Sequence, residues 1–95
     1  MASTQTPNQK LLKSLLKTYK AAFVHWIDPT SYSMWQPTAD VKDLECMAQW
    51  SLGWIIEETD DKVVVALTLA GDRDAVSDKI VLPKGCVLEI VEVKI

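Results

Sequence analysis

Trp50-Ser51-Leu52-Gly53-Trp54-Ile55-Ile56-Glu57-Glu58, then Thr59-Asp60-Asp61, then Lys62-Val63-Val64-Val65-Ala66-Leu67-Thr68-Leu69 is the stretch that decides the fold. Positions 50, 52, 54 and 56 are apolar, and so are 63, 65, 67 and 69. A period of two is the signature of a strand with one face turned inward. The reading is a β-hairpin closed by a tight acidic turn, with both apolar rows expected on one common side. Gly53, inside the first strand, predicts a bulge or a close approach of another backbone.

Upstream, Ala21-Ala22-Phe23-Val24-His25-Trp26-Ile27 suits a strand by its β-branched and aromatic content. Asp28-Pro29-Thr30-Ser31 ends it with turn chemistry. An irregular aromatic loop with Tyr32, Met34 and Trp35 follows, and Pro37-Thr38 is expected to open a short helix over about 38–47. Downstream of the hairpin, 70–78 reads as a polar loop and Ile80-Val81-Leu82 as a short strand. Pro83-Lys84-Gly85 stops that strand. The run from Cys86 to Ile95 changes phase, with Leu88 and Ile90 on one side and Val91, Val93 and Ile95 on the other. A bulge near Ile90–Val91 is expected there, as in small bent barrels.

Residues 1–8 read as a loose arm, with Asn8 as the expected N-cap of a helix over 9–20. In that helix Leu12, Leu15, Leu16 and Tyr19 form one stripe and lysines fill much of the rest. A helix this short is marginal in water by itself, so its leucines must pack on its own domain, on a second copy or on another surface. Residues 21–95 then form one domain of about five strands. In element order this matches a small, strongly bent antiparallel β-barrel of the Sm-like kind; the alternative is an open α+β sheet.

Composition narrows the function. The chain has 95 residues and a net charge of −3, which divides unevenly. Residues 1–26 carry four lysines and no acid, while 27–95 carry six basic and thirteen acidic groups. An acidic body disfavours non-specific nucleic-acid binding. No run approaches the length of a membrane span, and the first 22 residues lack the apolar region of a secretory signal. Cys46 and Cys86 stand forty positions apart without metal-ligand spacing, and are expected as buried free thiols. Asp72, Asp74 and Asp78 lack the remaining oxygen donors of a cation loop and enclose Arg73. The sole histidine, His25, is expected to be a partly buried strand residue. No nucleophile motif, phosphate loop or zinc motif occurs, so no catalytic residue, cofactor or metal is expected.

The candidate binding residues are Trp26, Asp28, Tyr32 and Trp35, since aromatic faces stack on bases or anchor partners. Lys84 is the candidate cation for a phosphate. Leu12, Leu15, Leu16 and Tyr19 are the candidate interface of a homo-oligomer.

Residues 23–95 resemble a group of small proteins of unknown function common in bacteriophages and prophages. The resemblance lies in Val24-His25-Trp26-Ile27-Asp28, Trp35, Ser51 through Glu58, Asp60 through Leu67, and Leu82 through Ile90. The helix before residue 21 departs from the usual short N-terminus of that group. What the resemblance implies is a phage accessory protein in the bacterial cytoplasm that works by stoichiometric binding. On that basis the first expectation is a non-enzymatic module that sequesters a ligand, for example a nucleotide used as an immune signal. Two alternatives stand beside it: an acidic inhibitor of a host or defence protein, with Glu57, Glu58, Asp60 and Asp61 at its contact surface, and an Sm-like RNA binder.

Overall fold

The computed structural model describes residues 5–71 and 74–94. Asp72, Arg73 and Ile95 therefore lie outside the described residues, as do residues 1–4 of the predicted N-terminal arm. Helix α1 spans Pro7–Thr18. Strands β1 (Lys20–Asp28), β2 (Met47–Glu58), β3 (Lys62–Leu69), β4 (Val76–Pro83) and β5 (Val87–Val93) follow, with short 3-10 turns at Thr38–Val41 and Lys84–Cys86. All pairings are antiparallel, in one sheet of order β4-β3-β2-β1-β5.

The helix starts two residues before the expected 9. Thr6, not Asn8, is its N-cap: the Gln9 N–H donates to Thr6 Oγ1 at 3.1 Å and the Thr6 N–H to Gln9 Oε1 at 2.8 Å. This reciprocal box satisfies two orphan donors, and Pro7 at the first helical position loses nothing by lacking an N–H. The helix expected over 38–47 shrinks to the Thr38–Val41 turn, because β2 already claims Met47. β3 occupies the predicted 62–69, whereas β4 begins at Val76, inside what reads as loop.

The sheet is open, which corrects the expected barrel: β4 and β5 are its two edges and do not pair with each other. It is nonetheless strongly curled. Three strands lie between β4 and β5, and a flat sheet would hold them about 19 Å apart. Only Lys84–Cys86 joins Pro83 to Val87, and four residues reach at most about 14 Å even when extended. The edges must therefore converge at that turn, which is tied down by the Lys84 N–H donating to the Asp61 carbonyl at 2.8 Å.

The concave side of this curl holds the core: Ala22, Val24, Trp26, Ile55, Val63, Val65 and Leu82, with Val87 and Ile90 packed against it. The register contradicts the expectation that the two apolar rows of the hairpin share a side. Trp54 is opposite Ala66 and Ile55 is opposite Val65. The concave side of β2 is thus Ser51, Gly53 and Ile55, while Trp50, Leu52 and Trp54 line the convex side. An extra residue between Ile55 and Glu57 shifts the register again near the turn. The phase change of β5 is also displaced. Glu89 pairs with His25 and Val87 with Trp26, so Leu88 is the extra residue rather than Ile90 or Val91.

The β2–β3 turn is fixed by its threonine. The Thr59 N–H donates to the Lys62 carbonyl at 2.9 Å, and Thr59 Oγ1 accepts from the N–H groups of Asp61 and Lys62. Beside it Glu58 meets two cations, Lys84 by a short hydrogen bond and Lys20 at 3.7 Å. The Lys84 ammonium holds the Glu58 carboxyl below its usual range; slight desolvation opposes this, and the charges of Lys84 and Lys20 add to it. A carboxylate with a depressed folded-state pKa stabilises the fold above its unfolded pKa and loses that contribution as pH falls through the folded value. Glu58→Gln should therefore lower stability at pH 7 by no more than about 1 kcal/mol, since both partners remain 35 % exposed to screening water. It should also flatten the loss of stability below about pH 4, as read by thermal melts across pH. An unchanged acid limb would show that the pair contributes nothing.

Candidate functional site

Two exposed features stand out on this scaffold. The first is the convex face of β5-β1-β2. Cross-strand pairing sets Val91, Phe23 and Leu52 in one row and Glu89, His25 and Trp50 in the next. His25 and Trp50 stack face to face, with ring centroids 4.3 Å apart and planes 2° from parallel. Phe23 meets Trp50 edge-on at 6.5 Å and 79°. Such arrangements follow the ring quadrupole and hold the rings in fixed orientations. Trp50 still shows 55 % of its surface to water, and Phe23, Leu52 and Val91 are exposed beside it. Exposed apolar side chains grouped in this way make the face a candidate interaction site.

The second feature is the segment 29–46 joining β1 to β2. It is long for a connection between two strands and holds only the Thr38–Val41 turn, and connections of more than about 12–15 residues with so little regular structure tend to be functional. Nearly every residue in it is exposed, with Trp35 at 101 % of its reference surface and Tyr32 and Met34 also open. At its base Gln49 Nε2 donates to Asp28 Oδ2 at 2.6 Å, clasping the two strands. The stacked His25–Trp50 pair lies three residues inside that base.

The residues singled out in the sequence are therefore divided. Tyr32 and Trp35 stand on the exposed segment, and Asp28 at its foot. Trp26 points to the opposite, concave side. It is 8 % exposed and its Nε1–H donates to Ser51 Oγ at 3.0 Å, so this indole is a core member with its polar handle already used. Lys84 is occupied by Glu58, and among the described residues no contact links it to Tyr32 or Trp35. The remaining acidic turn is partly neutralised in the same way, with Lys62 3.9 Å from Glu57. His25 is half-buried as expected, although its partner is an indole face. Cys46 is exposed, against expectation, because the chain reaches it before β2 enters the sheet. The second β1–β2 row, His25 with Trp50, is not visible in either strand separately. It emerges only when the two strands are paired antiparallel across their long connection.

Helix α1 lies across the end of the sheet between the β3–β4 turn and the end of β5. Leu15 and Tyr19 border a groove of about 310 Å³ with Leu69, Ala70, Asp74 and Ala75, while Leu16 borders Glu92 and Val93. The Tyr19 hydroxyl donates weakly to Asp74 at 3.4 Å. No helix residue is fully buried, and Leu11 and Leu12 remain exposed.

These features define a mainly-β protein, one curled five-stranded antiparallel sheet with an N-terminal helix and an aromatic convex face. Comparison with protein-family models, with curated proteins and with solved structures gives no match. No described helix is long and apolar enough to cross a membrane.

Proposed function

We propose that this chain is a non-enzymatic binding module that sequesters a flat aromatic ligand, a nucleotide in the leading version, in the cytoplasm of a phage-infected bacterium. The observation that carries the reading is the exposed Trp50, already stacked on His25 and braced by Phe23. A ring held in this way offers a π surface without ordering cost at the moment of binding. A nucleobase stacks on such a surface whatever its identity, and Tyr32 or Trp35 is long enough to close over it from the adjoining segment. Trp50 takes the stacking role for which Trp26 is unsuited by its burial. Asp28 shares the strand face of Trp26 and is held by Gln49, so it stands away from the Trp50 stack, and a phosphate would reach Lys84 only by displacing Glu58. The resemblance of residues 23–95 to phage accessory proteins supports the setting. The exposed Leu12, and the incompletely covered Leu15, Leu16 and Tyr19 beside it, support a homo-oligomer in which this stripe adjoins a second copy.

Titration of tryptophan fluorescence with mono-, di- and cyclic nucleotides tests the ligand. Quenching by at least one of them is expected, and Trp50→Ala should weaken that binding about tenfold or more. Silence towards every nucleotide would remove the nucleotide version. Salt-sensitive co-purification with a host protein would then favour the acidic-inhibitor reading, in which the same exposed aromatics serve as protein anchors.

A further inference from the structure

Segment 29–46 and helix α1 are each left with exposed apolar side chains and unbalanced charge. Leu44 and, on the helix, Leu11 and Leu12 face water. Asp40, Asp43 and Glu45 surround Leu44 with only Lys42 to offset them, while Lys10, Lys13 and Lys17 flank the leucines with no acid in the helix. None of these acids or lysines forms an ion pair among the described residues.

They cannot meet within one molecule as it is folded. The helix joins the first residue of β1 and the segment leaves from its last, and a nine-residue strand separates them by about 30 Å. The molecule is correspondingly drawn out, with a radius of gyration of 18.4 Å where about 12 Å is usual for a compact chain of this length. It exposes 7548 Å², against about 5500 Å² for a compact monomer of its mass. The excess, about 2000 Å², is more than twice the roughly 800 Å² per partner that a standard interface covers.

We propose that the acidic second half of segment 29–46 of one copy docks along the lysine–leucine helix of a second copy, Leu44 against Leu11 and Leu12, and that a two-fold arrangement lets the second copy return the contact. The occupant is a second copy because both halves of a charge-complementary pair are present on one chain, without an ion pair among the described residues and out of each other's reach. A two-fold closes such an assembly with both pairs satisfied. This rests on the oligomer reading above and not on the ligand reading.

Sedimentation and mixing test it. The wild-type chain should sediment above the 10.6 kDa of one copy. Reversing the helix charges (Lys10→Glu, Lys13→Glu, Lys17→Glu) or the segment charges (Asp40→Lys, Asp43→Lys, Glu45→Lys) should each raise the assembly concentration about tenfold or more. Mixing the two variants should restore assembly, since each then offers the other the missing partner. Zero-length carboxyl–amine cross-linking of mixed ¹⁴N and ¹⁵N wild-type protein gives a readout free of substitutions: cross-links from 40–45 to 10–17 between copies are expected. A wild-type chain that stays at one copy at all concentrations would overturn both the oligomer and the docking. An oligomer whose charge-reversed variants assemble normally, or whose cross-links avoid these segments, would overturn the docking alone.

Discussion

Trp26→Ala is expected to leave the chain only marginally stable at room temperature, while Trp35→Ala should fold as the wild type does. The two indoles lie nine positions apart in a chain with four tryptophans, and the structure treats them oppositely. Trp26 is the largest member of the core cluster, which otherwise holds Ala22, Val24, Ile55, Val63, Val65 and Leu82. Truncating a buried aromatic to alanine costs about 3–5 kcal/mol. A domain of this size has only about 5–14 kcal/mol in total, and one with so few fully buried side chains belongs near the lower end. Loss of the indole also leaves the Ser51 hydroxyl without its donor. Trp26→Phe, which keeps most of the ring but drops the N–H, should fall between, at about 1–2 kcal/mol. Trp35 touches water on every side, so its removal should stay within about 0.5 kcal/mol. Urea unfolding followed by far-UV circular dichroism separates the cases. A Trp26→Ala midpoint near that of the wild type would mean that the core is not built around this ring.

The same pair shows how much the sequence discloses. Strand content, the Thr59-Asp60-Asp61 turn and the limits of β3 follow from local chemistry, because alternation and turn residues are properties of a few neighbours. The exposure of Tyr32 and Trp35 follows from their place in a long connection. Which face of a strand is buried does not follow, because pairing across the sheet decides it. Trp50, Leu52 and Trp54 are the more apolar row of β2, and hydrophobicity assigns them to the core. The actual concave row is Ser51, Gly53 and Ile55, since those are the residues opposite Val24, Ala22 and Val65. Small side chains at 51 and 53 leave room for Trp26 and Val65, so volume outweighs hydropathy there. The larger residues are displaced to the convex face, where they make the candidate site. The closure of the barrel was likewise beyond local reading, because it depends on whether two edge strands far apart in the sheet come within hydrogen-bonding distance.

Gly53 is where this arrangement is most sensitive, and Gly53→Ala should be far more damaging than its single methyl group suggests. β2 changes neighbours at this residue. Up to this glycine it pairs with β1 alone, Trp54 and Ile55 pair with β1 and β3 together, and Glu57 and Glu58 pair with β3 alone. The glycine lets β3 come in close. A Cβ at position 53 would lie 2.7 Å from Val65 Cγ1 and 2.8 Å from the Ala66 carbonyl oxygen. The valine methyl is confined, as Val65 is 3 % exposed, and the carbonyl belongs to the backbone of a fully buried residue. Relief therefore requires β2 and β3 to separate, which loosens Val63 and Val65 within the core cluster. Overpacking of this kind costs about 1–3 kcal/mol, occasionally more. Replacing glycine also stiffens the unfolded chain, which favours folding by about 0.4–1 kcal/mol. The clash is the larger effect, because it involves main chain on one side. The net expectation is a loss of about 1–2 kcal/mol for alanine, or roughly 4–16 °C in melting temperature. Gly53→Val, whose branched carbons meet the same carbonyl, should not fold. The exposed neighbour supplies the control: Leu52→Ala should change stability by about 0.5 kcal/mol or less. Thermal melts of the three variants decide the matter. An alanine variant as stable as the wild type would mean that β3 does not approach β2 this closely, and the small-residue requirement on the concave side of β2 would lose its cause.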